Sequence, residues 1–290
     1  MSIAIVFTIM VSEVIGGIIS NSLALLGDAG HMLVDGLALV LSLFAMTLAR
    51  RPATSKNTYG FYRAEIMAAL ANGVLLILIS FYIFYEAYQR FLSPPAVKTP
   101  IMLTVAVIGL IANVVMIFLL RAGHDSLNVR AAFWHVATDT LSSVGVIAAG
   151  ILILVTGLRV IDPILAALIS AVIIWGAVRL VFESVEILFE AVPRHIRLDE
   201  VVKAIKEIPG VKDLHDTHIW TITSGVYALS SHLTIQDQAV SDSTEILAAV
   251  ARKLERDFGI GHTTLQAECD SCPSGFVCGI SQSGNNIEVH

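Results

Sequence analysis

The segment LLGDAGHMLVDGLALVLSLFAM, residues 25–46, decides the fold. Its 22 residues exceed the roughly 20 apolar positions that a bilayer-spanning helix needs, yet it carries Asp28, His31 and Asp35. An ionisable group at membrane depth is costly unless it is paired or coordinates a cation. His31 and Asp35 are four apart and share one helix face; Asp28 lies a turn earlier on a neighbouring stripe.

The rest of the chain agrees with a membrane reading. Of 290 residues, 56% are hydrophobic and only 14% charged, against about 25% charged in an ordinary soluble domain. The mean hydropathy is +0.78. Six apolar stretches qualify as spans, at about 3–21, 24–49, 66–91, 101–121, 132–156 and 162–182. Continuous runs of this length fit helices, in which the backbone satisfies itself. In the sixth, Asp162 is expected to cap the helix, with Pro163 in its first turn. The N-terminus MSIAIVFTIMV has no basic n-region or small-residue cleavage site, so it does not read as a cleaved signal peptide. A net charge of −6 argues against nucleic acid as a partner.

Orientation follows from loop cations. Arg50, Arg51, Lys56, Arg63, Arg121 and Arg130 lie on one side, against Arg90, Lys98 and Arg159 on the other. This asymmetry places both termini in the cytoplasm. An integral protein of this kind sits in the lipid bilayer, in a bacterium the cell (inner) membrane.

Composition changes after residue 190. LDEVVKAIKEIPG is an amphipathic helix, VKDLHDTHIWTIT and VYALSSHLTIQ read as strands, SDSTEILAAVARKLERDFG as a helix capped by Ser241 or Asp242 and stopped at Gly259, and HTTLQAE as a strand. The order α-β-β-α-β implies a compact α+β, ferredoxin-like domain. The expected organisation is an all-α six-helix transmembrane domain over 1–185, a cytoplasmic domain over 190–270 and a loose C-terminal tail over 271–290.

The fifth span repeats the motif of the second. In AFWHVATDTLSSVGV, His135 and Asp139 stand at the same spacing as His31 and Asp35, and both pairs are offset by 104 residues. Two imidazoles and two carboxylates form a tetrahedral N2O2 set suited to Zn2+, and two aspartates balance a divalent charge. The absence of sulfur argues against Cu(I), and two histidines argue against Mg2+ or Ca2+; Co2+, Fe2+, Mn2+ and Cd2+ fit the same geometry. The alternative, that these groups are interhelical hydrogen-bonding partners, does not require duplicated spacing. The four groups bind metal only when deprotonated, so protons and metal compete for the same atoms. Asp28 reads as a surface cap, an entry-path charge or a further ligand. Glu13, alone in the first span, reads as a pathway carboxylate or as a hydrogen-bonded packing group.

On these residues the chain resembles the cation diffusion facilitator family, especially its zinc-transporter subgroup. SNSLALLGDAGHMLVDG, YGFYRAEIMAALANG, WHVATDTLSS and HDTHIW carry the resemblance, which covers nearly the whole chain. It implies six helices, a metallochaperone-like cytoplasmic domain, a homodimer, and export of Zn2+ from the cytoplasm in exchange for protons. Its transport site falls on His31, Asp35, His135 and Asp139, and His at the first position implies a preference for Zn2+ over Cd2+. A further site that some bacterial members build from Asp and His after the second helix is not expected, because RRPATSKNTYG has neither. The loop RAGHDSLNV holds only His124, read as a solvated residue.

In the cytoplasmic domain, a hairpin turning at Ser224-Gly225 sets His232 opposite Thr217 and diagonal to His215. Alternation in the last strand puts His262 and Glu268 on one face. His215, His232, His262 and Glu268 are therefore expected to converge, and the resemblance implies a regulatory or stabilising zinc site there. His218, on the other face, reads as structural. Cys269 and Cys272 form half of a zinc ligand set, completed from a neighbouring subunit, or else belong to a free-thiol tail; three clustered cysteines suggest a reducing compartment rather than a disulfide framework.

Two other function classes fit these residues less well. An intramembrane metalloenzyme needs an open coordination position and a general base, and no H-E-x-x-H occurs. A non-transporting metal sensor or assembly subunit would use the cytoplasmic site but has no need of four ionisable ligands in the membrane.

Overall fold

The computed structural model describes residues 2–121 and 127–269, with side chains from Phe7 to Leu119, of Phe133, and from Val136 onward. His124, Cys272 and the 271–290 tail lie outside the described residues.

Six helices come first: α1 (Ser2–Ser20), α2 (Leu23–Ala49), α3 (Ala64–Leu92), α4 (Thr99–Arg121), α5 (Leu127–Thr156) and α6 (Ile161–Leu188). Their ends carry the expected breakers. Asn21 at φ 57 turns α1 into α2, and Gly157 at φ 72 ends α5. Pro94 and Pro95 follow α3, and Pro163 occupies the first turn of α6. By length and composition α2 to α6 can each cross a membrane, while the described part of α1, Phe7–Ser20, is a shorter apolar helix. Large apolar side chains such as Leu39, Phe44, Phe81, Val155 and Trp175 are exposed, as a lipid-facing surface requires.

The helices meet through small residues. A Cβ at Gly16 would stand 2.6 Å from Val105 Cγ2, so glycine is what lets α1 lie against α4. Ala24, Met102, Ala106, Val146 and Ala166 of α2, α4, α5 and α6 form the buried centre of this unit.

The second compact unit contains Met46–Met67 and the chain from Glu183 onward. It is built from α7 (Leu198–Lys206), β1 (Val211–Thr223), β2 (Val226–Ile235), α8 (Val240–Phe258) and β3 (Ile260–Glu268). The sheet order is β1-β2-β3, with β1 antiparallel and β3 parallel to β2. The result is an α+β domain with both helices contributing to one core, in which Val201, Ile205, Leu229, Leu233, Val250 and Leu254 are buried. Gly259, at φ 69, stops α8. The N-cap of α8 is Ala239, so Ser241 and Asp242 belong to its first turn instead of capping it.

Leu233 is fully buried at the centre of β2. Leu233→Ala is expected to destabilise this domain by about 2–5 kcal/mol, read as lost amide-exchange protection across the three strands of the solubilised chain. A smaller effect comes from Asp213, whose Oδ1 lies 2.7 Å from Lys206 Nζ and accepts from Leu214 N at 2.8 Å. The Lys206 ammonium, followed by that amide, holds the Asp213 carboxyl below its ordinary range. A folded pKa below the unfolded one means stability that is present at neutral pH and lost as pH falls through the carboxylate range. Asp213→Asn should therefore flatten the acid limb of the domain's stability curve, by less than about 1 kcal/mol because both partners are well exposed.

Candidate metal centres

In α2, His31 Nε2 stands 3.4 Å from Asp35 Oδ2, as the i, i+4 spacing requires, and both side chains are about one fifth exposed. In α5, Asp139 is buried; His135 belongs to the same helix, but its side chain lies outside the described residues. The two helices are joined at one level. Ser142 Oγ of α5 donates to Asp28 Oδ1 of α2 at 2.6 Å. Helices that succeed one another across a bilayer alternate in direction, which makes α2 and α5 antiparallel. Three residues along α2 from Asp28 is His31, and three residues back along α5 from Ser142 is Asp139. Four more steps reach Asp35 and His135. With an equal rise in both helices, His31 is level with Asp139 and Asp35 with His135.

Asp28 is therefore no surface charge. It is buried, five residues into its helix, and ties α2 to α5 through Ser142, with Asp139 and His31 within electrostatic range. Ser142 went unnoticed because a serine in a span carries no signal of its own. Glu13 is also buried, and Asp28 and Asp139 are the carboxylates that act on it. Its Oε1 lies against Gly109 of α4, where a Cβ would come within 2.6 Å. Its Oε2 has no hydrogen-bond partner among the described residues.

The second centre lies in the α+β domain. Glu268 reaches between two histidines, with Oε2 at 3.2 Å from His215 Nε2 and Oε1 at 2.8 Å from His232 Nδ1. The imidazole centroids are 5.1 Å apart, and one ligand atom from each of the three residues falls within 4.8 Å of the others. Gln266 Nε2 donates to Glu268 Oε1 at 2.7 Å and steadies the carboxylate. Two imidazole nitrogens and a carboxylate oxygen are the donor chemistry of a zinc site, so these residues fit the metal.

Two expectations need correction here. His215 lies directly opposite His232, not diagonal to it. β1 carries an extra residue between His215 and His218 and another between Thr221 and Thr223, which moves the pairing by two. A shift of two keeps the face and changes only the partner. Asp216, at φ 48, occupies the first of these bulges; its Oδ1 is 2.9 Å from His218 Nε2 and its Oδ2 3.8 Å from His232 Nε2. His262 stands apart from the cluster. It pairs with Ala228, six residues from Glu268, or about 20 Å along the strand. Its ring packs edge-on against Tyr59 at 5.7 Å. His218 is exposed, and its bond to Asp216 agrees with a structural role. Cys269 is exposed beside Glu268.

Residues 1–189 match the family described as cation efflux transmembrane domain, and residues 193–269 that described as cation efflux protein, cytoplasmic domain. The cadmium, cobalt and zinc/H(+)-K(+) antiporter of Bacillus subtilis (strain 168) is 42% identical over 90% of this chain and 85% of its own length. The metal cation efflux system protein CzcD of Cupriavidus metallidurans is 43% identical over 93% of this chain and 86% of its own. The zinc transporter ZitB of Escherichia coli (strain K12) is 38% identical over 97% and 90%. A solved structure, the metal-bound C-terminal domain of CzcD from C. metallidurans, is 42% identical over 25% of this chain and 99% of its own, with a TM-score of 0.23. The chain is an integral membrane transporter, not an enzyme, and belongs to the cation diffusion facilitator family, in its zinc-transporter subgroup.

Proposed function

We propose that this protein exports divalent metal, Zn2+ foremost, from the cytoplasm in exchange for protons, and that the metal crosses through His31, Asp35, His135 and Asp139. The observation that supports this reading is the Asp28–Ser142 bond, which joins the two helices that carry the His-x-x-x-Asp motifs. Two carboxylates and two imidazoles hold the ion without a fixed water, and each must lose its proton to do so. A proton arriving from the outer side displaces the ion, and its departure on the inner side readies the site again. The named substrates of the relatives, zinc, cadmium and cobalt exchanged for protons, support this coupling; Fe2+ and Mn2+ suit the same donors.

The working arrangement is six spans over 1–185 with both termini cytoplasmic, a regulatory and dimerising domain over 190–270, and a tail over 271–290. Loop cations support the orientation, and the matched cytoplasmic family, named for a dimer, supports a homodimer. His215, His232 and Glu268 bind a resident zinc in that domain.

The test is zinc uptake into proteoliposomes under an imposed pH gradient. Uptake should follow an inside-acid gradient and collapse with a protonophore. Zinc flux indifferent to the gradient would overturn proton coupling.

A further inference from the structure

Asp162 opens α6, yet its carboxylate serves a different helix. Its Oδ1 accepts from Ser22 Oγ at 2.6 Å, its Oδ2 accepts from Leu23 N at 2.7 Å, and Ala24 N approaches Oδ1 at 3.4 Å. These are the first amides of α2, which no carbonyl of their own helix reaches. Ser22 Oγ in turn accepts from Leu25 N at 3.2 Å. An acid some 140 residues away in sequence thus completes the N-terminal cap of the helix that carries His31 and Asp35. Asp162 is 1% exposed and Ser22 is 0% exposed, so water does not compete for these bonds.

The cap belongs to a larger knot. Arg90 Nη1 of α3 donates to Asn21 O at 2.9 Å, while its Nε is held by Glu86 Oε1 at 2.8 Å. Lys98 N donates to Ser20 O at 2.8 Å. The α1–α2 turn is therefore bonded to the ends of α3, α4 and α6 at once. Between cap and site, α2 turns Gly27 and Gly30 toward α3, where an added Cβ would meet Ile83 and Ile79 only at 3.7 and 3.6 Å. Those are ordinary van der Waals contacts, so the cap and the Asp28–Ser142 bond share the task of holding α2 in place. His31 follows Leu23 by eight residues, about 12 Å, and slipping the cap by one residue would turn the ligand face by about 100°.

We infer that Asp162 is a positioning residue for transport: by capping α2 it sets the height and rotation at which His31 and Asp35 meet the ligands of α5. The role rests on the reading of those residues as the transport site. Because the bonds are buried and direct, the knot stays closed while the metal is exchanged, as a pivot and not a gate.

The test uses the full chain in proteoliposomes, in a His232→Ala background that disables the cytoplasmic site. Asp162→Asn should raise the zinc KM by about tenfold and alter the visible spectrum of bound Co2+, with Vmax within about threefold of the parent. Ser22→Ala, which keeps both backbone bonds, should change KM by less than about threefold. Should Asp162→Asn fail to fold, Asp162→Glu keeps the charge while pushing α2 along its axis, and should raise KM in the same way. A parental KM and Co2+ spectrum in these Asp162 variants would overturn the inference, as would a reduced Vmax at parental KM, which describes a gate. Asp35→Ala is run alongside: a parental Co2+ spectrum there would refute the transport-site reading itself.

Discussion

Asp35→Ala or Asp139→Ala is expected to reduce proton-driven zinc flux by about 100-fold or more, a larger loss than any neighbouring substitution should cause. On the proposed reading, either change removes one of four metal contacts and half of the negative charge that balances the ion. With one carboxylate left, a divalent cation in the span keeps a net positive charge away from water, the condition that makes membrane burial most costly. Replacement of His31 by Asp should be milder, since it keeps a donor, and should shift preference toward Cd2+ as the family resemblance implies. Zinc flux at the wild-type rate in either alanine variant would remove these residues from the pathway.

The second large effect concerns the cytoplasmic centre. In a chain already carrying Asp35→Ala and Asp139→Ala, the remaining tight zinc belongs to the α+β domain. There Glu268→Ala should weaken binding by about 100-fold, measured by competition with a zinc-sensitive dye. Among the described residues, Glu268 is the carboxylate that reaches both imidazoles, at 3.2 Å from His215 and 2.8 Å from His232, and it supplies negative charge to the set. His262→Ala should leave that affinity unchanged, because His262 packs on Tyr59 well away from the cluster. Equal losses in the two variants would bring His262 back into the site.

Periodicity and composition made most of the fold legible before any coordinates. Membrane helices announce themselves because lipid forbids other backbone solutions, and the boundaries of α1 to α4 fall close to those expected, while α5 begins earlier. The paired His-x-x-x-Asp motifs were legible for a similar reason: charge in an apolar span has few explanations. What stayed hidden depends on contacts between distant parts of the chain. Asp162 looked like the cap of its own helix, and nothing local reveals that its acceptors point to Leu23. His262 was misplaced because alternation gives the face of a strand but not the position along it. The His215–His232 pairing was misjudged because a bulge depends on how two strands meet, and only the Asp at φ 48 hints at one.

The two bulges of β1 that lie between the turn and His215 carry a consequence for comparing members of this family. Because each extra residue moves the pairing by one, the cytoplasmic centre depends on chain length as much as on its ligands. Loss of a single residue between His215 and the turn, with both bulges kept, would send His215 to the opposite face, whereas loss of a bulge residue itself would leave His215 opposite His232. A relative that retains both histidines and the glutamate but differs by one residue in that interval keeps the site where a bulge takes up the difference. The bulges between His215 and Gly225 thus belong to the cytoplasmic centre as much as its histidines do.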